Sequence, residues 1–182
     1  MKNTIVAVVG LCGAGKSEVT NIFVENGFEK VYFGDVTFDE MKKRNMEITP
    51  ENERAMREEL RATNDMAIYA KKSEPKIKKA YEEGKNVVVE SLYSWSEYKY
   101  LKEIYKDSFK LLAVVTDRDL RAERLKNRQH RPLTDEEVTQ RDYSEIENIE
   151  KAGPIAIADR FVLNNGTFEE LKEQVQEYID TF

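Results

Sequence analysis

The segment with the clearest chemical potential lies near the N-terminus. There Gly10–Ser17 reads Gly-Leu-Cys-Gly-Ala-Gly-Lys-Ser, directly after the apolar run Ile5–Val9. This spacing, G-x-x-x-x-G-K-S between a strand and a helix, is that of a phosphate-binding P-loop. Gly10 and Gly15 allow backbone turns that disfavour side chains, so that successive N–H groups from about Gly13 onward point into one concavity. The sequence therefore predicts a binding site for a nucleoside triphosphate.

Two side chains at the end of this segment are expected to contact the phosphates and the metal. Lys16 can reach the β- and γ-phosphates, and the Ser17 hydroxyl can hold Mg²⁺. A helix that begins near Lys16 adds the positive end of its dipole to the site. The alternative, a glycine turn that binds nothing, is disfavoured because the motif has the strand–loop–helix context that phosphate binding requires.

The elements that must position this loop follow from the hydrophobic pattern. Short β-rich runs alternate with longer polar segments, which is typical of a parallel sheet flanked by helices. Strands are predicted at Ile5–Val9, Lys30–Phe33, Val87–Glu90, Leu111–Val115 and Phe161–Leu163. Helices are predicted at Lys16–Asn26, Val36–Arg44, Glu51–Ala70, Pro75–Glu83, Trp95–Lys106, Arg118–Arg128, Asp135–Glu150 and Phe168–Thr181. The fold class is thus α/β, a three-layer P-loop NTPase fold with a five-stranded parallel sheet.

The 182 residues are expected to form a single domain. Its core would comprise residues 1–35, 84–117 and 152–182. More than fifty mostly helical residues separate the second and third strands, which is too long for a simple crossover. We therefore predict a helical acceptor lobe at about 36–83 and a lid at about 118–151.

Composition restricts the partners. A net charge of −6, from 29 basic and 35 acidic residues, argues against nucleic acid as the main partner, because phosphate-backbone binding needs a basic surface. Cys12 is the only cysteine and cannot form an internal disulfide, which favours a reducing compartment. No run approaches the ~20 apolar residues of a membrane span. We expect a cytoplasmic protein with no membrane partner, and a monomer is favoured although the oligomeric state stays open.

Two large P-loop classes are disfavoured by missing elements. GTP-binding switch proteins need Asp-x-x-Gly and Asn/Thr-Lys-x-Asp elements, and neither occurs in this sequence. Motor-type and AAA-type ATPases end a strand with Asp-Glu, whereas the corresponding strand here ends Val87-Val-Val-Glu90-Ser91. A small phosphotransferase remains.

An arginine-rich helix supports that interpretation. Arg121, Arg124 and Arg128 have the spacing i, i+3, i+7 and are expected to share one helix face. Such a face is self-repulsive unless an anion neutralises it, although a solvated basic face is the alternative. Next to a P-loop, we interpret it as a lid that closes over the transferred phosphoryl group and excludes water. Arg124 and Arg128 would stabilise transition-state charge and stack on the adenine.

Several short motifs resemble one group of kinases. Glu123–Arg128 resembles the lid opening of nucleoside monophosphate kinases and dephospho-CoA kinases, and residues 157–167 resemble the Ala-Asp-x-Val-Ile-x-Asn-x-Gly-Ser/Thr segment of dephospho-CoA kinases. An archaeal-type group of dephospho-CoA-kinase-like proteins is most similar, over essentially the whole chain. The shared motifs are Gly34-Asp35-Val36, Thr49-Pro50-Glu51-Asn52, Leu60-Arg61, Arg141-Asp142 and Gly153-x-Ile155-Ala156.

The resemblance implies roles for two carboxylates. Asp35 matches the acid after the second strand that acts as general base, or as orienter, for an acceptor hydroxyl; the alternative is that it only caps the following helix. Glu90 replaces the usual aspartate at the end of the third strand and could still hold Mg²⁺ through water. Ser91 and Tyr93 stand where the family has a glycine and an arginine, which puts the acceptor site in question.

The resemblance also implies arginine contacts. Arg61 would hold the acceptor's phosphate, and Arg141 belongs to the same acceptor site, whereas surface ion pairs explain Arg54 and Arg57 equally well. His130 is interpreted as an exposed polar residue. The predicted nucleotide-binding residues are Gly10, Gly13, Ala14, Gly15, Lys16, Ser17, Glu18, Arg124 and Asn165. The predicted catalytic residues are Lys16, Asp35, Arg124 and Arg128. The predicted metal-binding residues are Ser17 and Glu90, and the predicted acceptor-binding residues are Asp35, Arg61 and Arg141.

The function expected from the sequence is ATP- and Mg²⁺-dependent phosphoryl transfer to a small, nucleotide-like acceptor. Dephospho-CoA is the first candidate, on the whole-chain resemblance. A (deoxy)nucleoside monophosphate is the second. A non-catalytic ATP-binding regulatory protein is the alternative from another class.

Overall fold

The computed structural model describes residues 3–62, 65–129 and 131–182. His130, interpreted above as an exposed polar residue, lies outside these ranges. Residues 63–64, within the helix predicted for Glu51–Ala70, also lie outside them. In the described ranges, no helix is both long enough and apolar enough to cross a membrane.

A single five-stranded sheet forms the centre of the fold. Its strands are β1 (Ile5–Val9), β2 (Glu29–Tyr32), β3 (Val87–Glu90), β4 (Phe109–Val115) and β5 (Arg160–Leu163). The spatial order is β2-β3-β1-β4-β5, and every pairing is parallel. The predicted five-stranded parallel sheet is confirmed. Because β1 is central, the loop after it opens at the carboxyl edge of the sheet, where α/β proteins bind ligands.

Nine α-helices and a short 3₁₀ turn are found in the described residues. They are α1 (Lys16–Glu25), α2 (Asp35–Lys43), α3 (Pro50–Ala62), α4 (Ile68–Glu82), α5 (Trp95–Tyr105), the 3₁₀ turn Lys106–Ser108, α6 (Arg118–Asn127), α7 (Asp135–Glu147), α8 (Ala152–Ala156) and α9 (Phe168–Ile179). Thr134 and Thr167 form capping boxes with Glu137 and Glu170, as their acidic first turns predict.

The sheet has a hydrophobic core on each face because side chains alternate along its strands. On one face, Ile5, Ala7 and Val9 of β1 pack with residues of α2, α3, α4 and α5. On the other, Val6 and Val8 pack against α1 and α9. All five residues of β1 are fully buried, as expected for the central strand of a parallel sheet covered on both sides.

Two predicted helix boundaries are wrong: the end of one helix at Ala70 and the start of the next at Pro75. Pro75 does not begin a helix but lies inside α4, which starts at Ile68. The chain instead turns at Asp65, whose side chain accepts a hydrogen bond from the Ala67 N–H and whose carbonyl accepts one from Ile68. The short helix α8 was not predicted, because Gly153 and Pro154 lie inside it and both disfavour helix interiors in isolation.

Candidate functional site

The loop after β1 has the backbone conformation that the glycine spacing predicts. Gly10 has φ +148° and Gly15 has φ +96°, and α1 begins at Lys16. A Cβ at Gly10 would lie 2.5 Å from the carbonyl oxygen of Val114 in β4, and one at Gly15 would overlap the side-chain amide of Asn164. Both positions therefore require glycine for space as well as for backbone conformation.

Lys16 is held against its own loop. Its Nζ donates to the carbonyl oxygen of Leu11 at 2.9 Å. Burial, and then the neighbouring Lys151 ammonium, lower the pKa of Lys16 to about 7. An anionic ligand at this position would favour the charged form of the lysine. The other predicted nucleotide contacts are distributed around it: Gly13 has φ +81°, Ala14 is buried, and Glu18 is exposed on the first turn of α1.

The predicted metal-binding residues meet at the edge of the sheet. The Ser17 hydroxyl donates to Glu90 Oε1 at 2.9 Å, and Lys30 Nζ lies 2.5 Å from Glu90 Oε2. A hydroxyl and a carboxylate beside a phosphate loop are oxygen donors of the kind that Mg²⁺ prefers. In the part of the chain that the structure describes, no group of three or more His, Cys, Asp or Glu could hold a metal ion, so Ser17 and Glu90 suit a cation that takes its remaining ligands from phosphate oxygens and water.

The buried ion pair of Glu145 and Lys151, which the sequence analysis did not predict, contacts the P-loop at Cys12. The Cys12 N–H donates to Glu145 Oε2 at 3.0 Å, and Lys151 Nζ lies 2.8 Å from the same oxygen. Arg141 Nε lies 3.1 Å from Glu145 Oε1, and the Lys151 ammonium lies 4.3 Å from the centre of the Tyr93 ring. Burial acts to raise the pKa of Glu145, but the two cations outweigh it and hold that pKa below its usual range. The only sequence signal was the i, i+4 spacing of Arg141 and Glu145.

The three arginines predicted to share a helix face have three different environments. Arg121 is buried and forms a bidentate pair with Asp142 at 2.8 and 2.9 Å, while also donating to the Cys12 carbonyl. Arg124 lies beside Asn164, 3.5 Å from its Oδ1, and its Nη1 is buried without a hydrogen-bond partner. Arg128 has left the helix, which ends at Asn127, and its backbone is extended. The predicted common face is therefore wrong for Arg128, whereas Arg121 and Arg124 both lie on α6.

One cavity of about 510 Å³ adjoins the loop, with Cys12 and Ser91 in its wall. Residues of α2, α3 and α4 line it, together with six residues from the segment after α6 and from α7: Arg128, Arg131, Leu133, Glu137, Gln140 and Arg141. Its charged lining consists of five arginines and two glutamates: Arg57, Arg61, Arg128, Arg131, Arg141, Glu53 and Glu137. Its aromatic lining consists of Tyr32, Phe33, Phe38, Tyr69 and Tyr93. In a chain of net charge −6, this concentration of cations is a local positive region of the kind that attracts anions.

Both predicted acceptor arginines line this cavity. The Arg61 guanidinium lies 4.6 Å from the centre of the Tyr69 ring, and its Nε is buried without a hydrogen-bond partner. Arg141 is tied to Glu145 through Nε. Arg57 also lines the cavity. It lies 3.3 Å from Glu53, so it forms the ion pair that the sequence analysis gave as the alternative to acceptor binding.

Asp35 does not line the cavity. It is the first residue of α2, and its carboxylate is half-exposed and lies 3.7 Å from Lys76 Nζ. Asp39, one turn later on the same helix face, lies 3.6 Å from that ammonium. Thr37 and Phe38 are the residues of α2 that face the cavity. The structure therefore pairs this carboxylate with α4, and its predicted role as a general base stays a prediction.

Asn165, the other predicted nucleotide contact, lies in the loop after β5. Its Oδ1 accepts a hydrogen bond from the Asp117 N–H at 2.9 Å, which ties the turn before α6 to the loop after β5. The adjacent Asn164 donates through Nδ2 to the carbonyl of Ala14 in the P-loop. Asn165 therefore lies next to the residue that contacts both the P-loop and Arg124.

Comparison with known proteins identifies the family. A UPF0200 protein of Thermococcus kodakarensis is 32% identical over 179 residues, covering 97% of this chain and 96% of the relative. One from Aeropyrum pernix is 35% identical over 174 residues, covering 92% and 88%. The chain belongs to the UPF0200 family. Residues 6–151 also match the family described as AAA domain.

This second match corrects one exclusion made from the sequence. AAA-type proteins were disfavoured because β3 ends in Glu90-Ser91 rather than Asp-Glu. The description AAA domain nevertheless applies to most of this UPF0200 chain, so the missing acidic pair does not separate it from that class.

Solved structures of kinases have the same fold as this UPF0200 protein. A dephospho-CoA kinase from Campylobacter jejuni superimposes with a TM-score of 0.56 at 17% identity, covering 100% of this chain and 98% of that one. A shikimate kinase from Acinetobacter baumannii, solved with shikimate, gives a TM-score of 0.59 at 15% identity, covering 98% and 92%. At these identities the likeness shows the P-loop kinase fold alone.

Proposed function

We propose that this UPF0200 protein is an ATP- and Mg²⁺-dependent kinase that transfers the γ-phosphoryl group to a small, nucleotide-like acceptor. The observation that carries the proposal is the cavity next to the loop: Cys12 of the P-loop forms part of its wall, and five arginines and five aromatic side chains also line it. Arginines bind phosphate groups and aromatic faces stack on planar rings. A nucleotide-like molecule offers both features.

The residues of the loop would bind the donor. Lys16 would exchange its bond to the Leu11 carbonyl for the β- and γ-phosphates, and the N–H groups from Gly13 to Ser17 would cradle them. Ser17 and Glu90 would hold Mg²⁺, which when bound would neutralise charge on the phosphate oxygens. Arg124, whose Nη1 lacks a hydrogen-bond partner, and Asn165 would contact the nucleotide.

The segment 118–151 would act as the lid and the segment 36–83 as the acceptor lobe. Arg131 Nη2 of the first segment lies 3.6 Å from Glu53 Oε1 of the second, so the two segments already meet across the cavity. Arg128 would stabilise charge on the transferred group from the lid side. Arg61 and Arg141 would hold the acceptor's phosphate. Exclusion of water by these contacts would favour transfer over hydrolysis.

Two acceptors match this chamber. The whole-chain resemblance supports dephospho-CoA, and the fold neighbours include a dephospho-CoA kinase. A (deoxy)nucleoside monophosphate also presents a phosphate and a planar base. The purified protein should form ADP from ATP rapidly only when the right acceptor is added, so a panel of dephospho-CoA and the common nucleoside monophosphates tests the proposal.

The control for that panel is Lys16→Ala. We expect this variant to lose at least about a hundredfold in kcat/KM, because one electrostatic contact to the transferred group is removed, while its Tm stays close to that of the parent. Lys78→Ala, at an exposed lysine of α4, should leave both unchanged. ATP binding with no acceptor-dependent ADP formation across the whole panel would contradict the kinase proposal and favour a regulatory ATP-binding protein.

A further inference from the structure

Transfer to a hydroxyl and transfer to a phosphate differ in what the protein must supply. A hydroxyl oxygen has to lose its proton as it attacks, so a positioned base is needed. A phosphate monoester has a second pKa of about 6 and already carries an anionic oxygen at neutral pH. The presence or absence of an available base at the cavity therefore distinguishes the two kinds of acceptor.

The carboxylates at the cavity are all engaged. Glu53 pairs with Arg57 and Arg131 on the cavity wall. Glu137 is used by the capping box of α7, where its Oε2 accepts the Thr134 N–H at 2.8 Å. Among the described lining residues, these two glutamates are the only acids.

The two carboxylates just behind the wall are bound by cations as well. Glu90 accepts from Ser17 and pairs with Lys30. Glu145 is 3% exposed and holds Lys151, Arg141 and the Cys12 N–H. The cations beside Glu145 hold its pKa below its usual range, so this carboxylate is a weak base.

The phenols of the cavity do not provide a base either. Burial is the first cause that raises the pKa of Tyr32, of Tyr69 and, to about 12, of Tyr93. At neutral pH these hydroxyls keep their protons and can only donate to, or accept from, a bound group. Tyr69 is already hydrogen-bonded to Thr37 at 2.8 Å, and Tyr93 to Ser91 at 3.0 Å.

Asp35 is the remaining candidate, and it is not among the residues that line the cavity. Its carboxylate and that of Asp39 share Lys76 of α4. The cavity instead holds cations, including Arg61 with its buried, unpartnered Nε. Among the lining residues that the structure describes, this arrangement would stabilise an anionic nucleophile, and none of them is a free carboxylate that would deprotonate a neutral one.

Building on the proposed kinase function, we propose that the nucleophile is a phosphate oxygen of the acceptor, so that the substrate is a nucleoside monophosphate or a similar planar-ring phosphomonoester. The acceptor oxygen forms a bond to the γ-phosphorus, the bond from that phosphorus to the β,γ-bridging oxygen breaks, and ADP leaves with the electron pair. No proton moves, and the product is a phosphoanhydride. Arg61 binds the attacking phosphate group.

The test identifies the product of each acceptor by phosphorus NMR. With the parent protein, ATP and AMP, GMP, CMP, UMP or dTMP, we expect ADP formation with one of these and a new diphosphate on the acceptor. Formation of a phosphomonoester on a hydroxyl of dephospho-CoA, with no anhydride from any monophosphate, would overturn this inference and leave the kinase proposal standing. ADP formation with none of the acceptors would overturn both.

A matched pair of variants tests the absence of a base separately. Asp35→Asn and Asp39→Asn remove one carboxylate each from the same lysine, so their structural effects should be similar. We expect kcat with the active acceptor to change less than threefold in both, and kcat/KM to keep its fall below about pH 6, where the acceptor phosphate gains a proton. A loss of roughly a hundredfold or more in Asp35→Asn alone, the effect of removing a general base, would overturn the inference.

Discussion

The buried ion pair behind the P-loop makes the sharpest prediction for stability. Glu145 and Lys151 are 3% and 2% exposed, and their charged atoms lie 2.8 Å apart. In Glu145→Gln the amide oxygen can still accept the Cys12 N–H, but the Lys151 ammonium loses its counter-charge. Its other charged neighbours include Lys16 and Arg141, which are also cations.

The expected cost follows from this geometry. Removing one partner of a buried pair costs about 3–5 kcal/mol, because the remaining charge is left uncompensated. We expect Glu145→Gln to lower the free energy of unfolding by at least about 3 kcal/mol at pH 7. Lys151→Met should cost less, about 2 kcal/mol, because Arg141 still neutralises Glu145. Either loss is a large share of the ~5–15 kcal/mol that stabilises a typical domain.

Urea unfolding of the two single variants and the double variant measures the coupling. The double variant Glu145→Gln/Lys151→Met has neither buried charge, so it should be at least about 2 kcal/mol more stable than the sum of the single effects implies. As a control, Glu58→Gln removes the i, i+4 pair with Arg54, in which both side chains are more than 60% exposed, and should change stability by less than about 0.5 kcal/mol. Additive effects, or single losses under about 1 kcal/mol, would refute the reasoning.

Two further predictions concern the loop and a buried acid. Gly10→Ala should destabilise the fold strongly and abolish nucleotide binding, because its Cβ would meet the Val114 carbonyl. The control Gly27→Ala, where the added Cβ has open space around it, should cost only about 1–2 kcal/mol of backbone strain. Thermal unfolding and ATP titration check both variants. Burial raises the pKa of Glu97 from 4.5 to about 7, so its folded form binds the proton more tightly than the unfolded chain. Its contribution to stability should therefore fall by up to roughly 3 kcal/mol as the pH rises from about 4.5 to about 7, and urea unfolding at several pH values should show this slope reduced in Glu97→Gln.

Local sequence signals accounted for the sheet, the phosphate loop and several helix ends. The P-loop glycines, the apolar run of β1 and the threonine caps act through the backbone of their own few residues, so their spacing is sufficient to predict them. Residues 65–75 show the limit of such signals. A Ser-Glu-Pro motif resembles a helix start, but packing of Tyr69, Ser73 and Ile77 in the core carries α4 straight through it.

The sequence by itself predicted a phosphate-binding loop that ends in Lys16 and Ser17, and it determined the parallel sheet that positions this loop. Only the tertiary structure decided which charges are used internally and which remain for a ligand. Arg121 and Asp142 are 21 residues apart and meet in a buried pair, Glu145 reaches the P-loop across 133 residues, and Asp35 turns to Lys76 instead of the cavity. The reason is physical: spacing along a helix fixes which residues share a face, but what that face packs against depends on segments far away in the sequence.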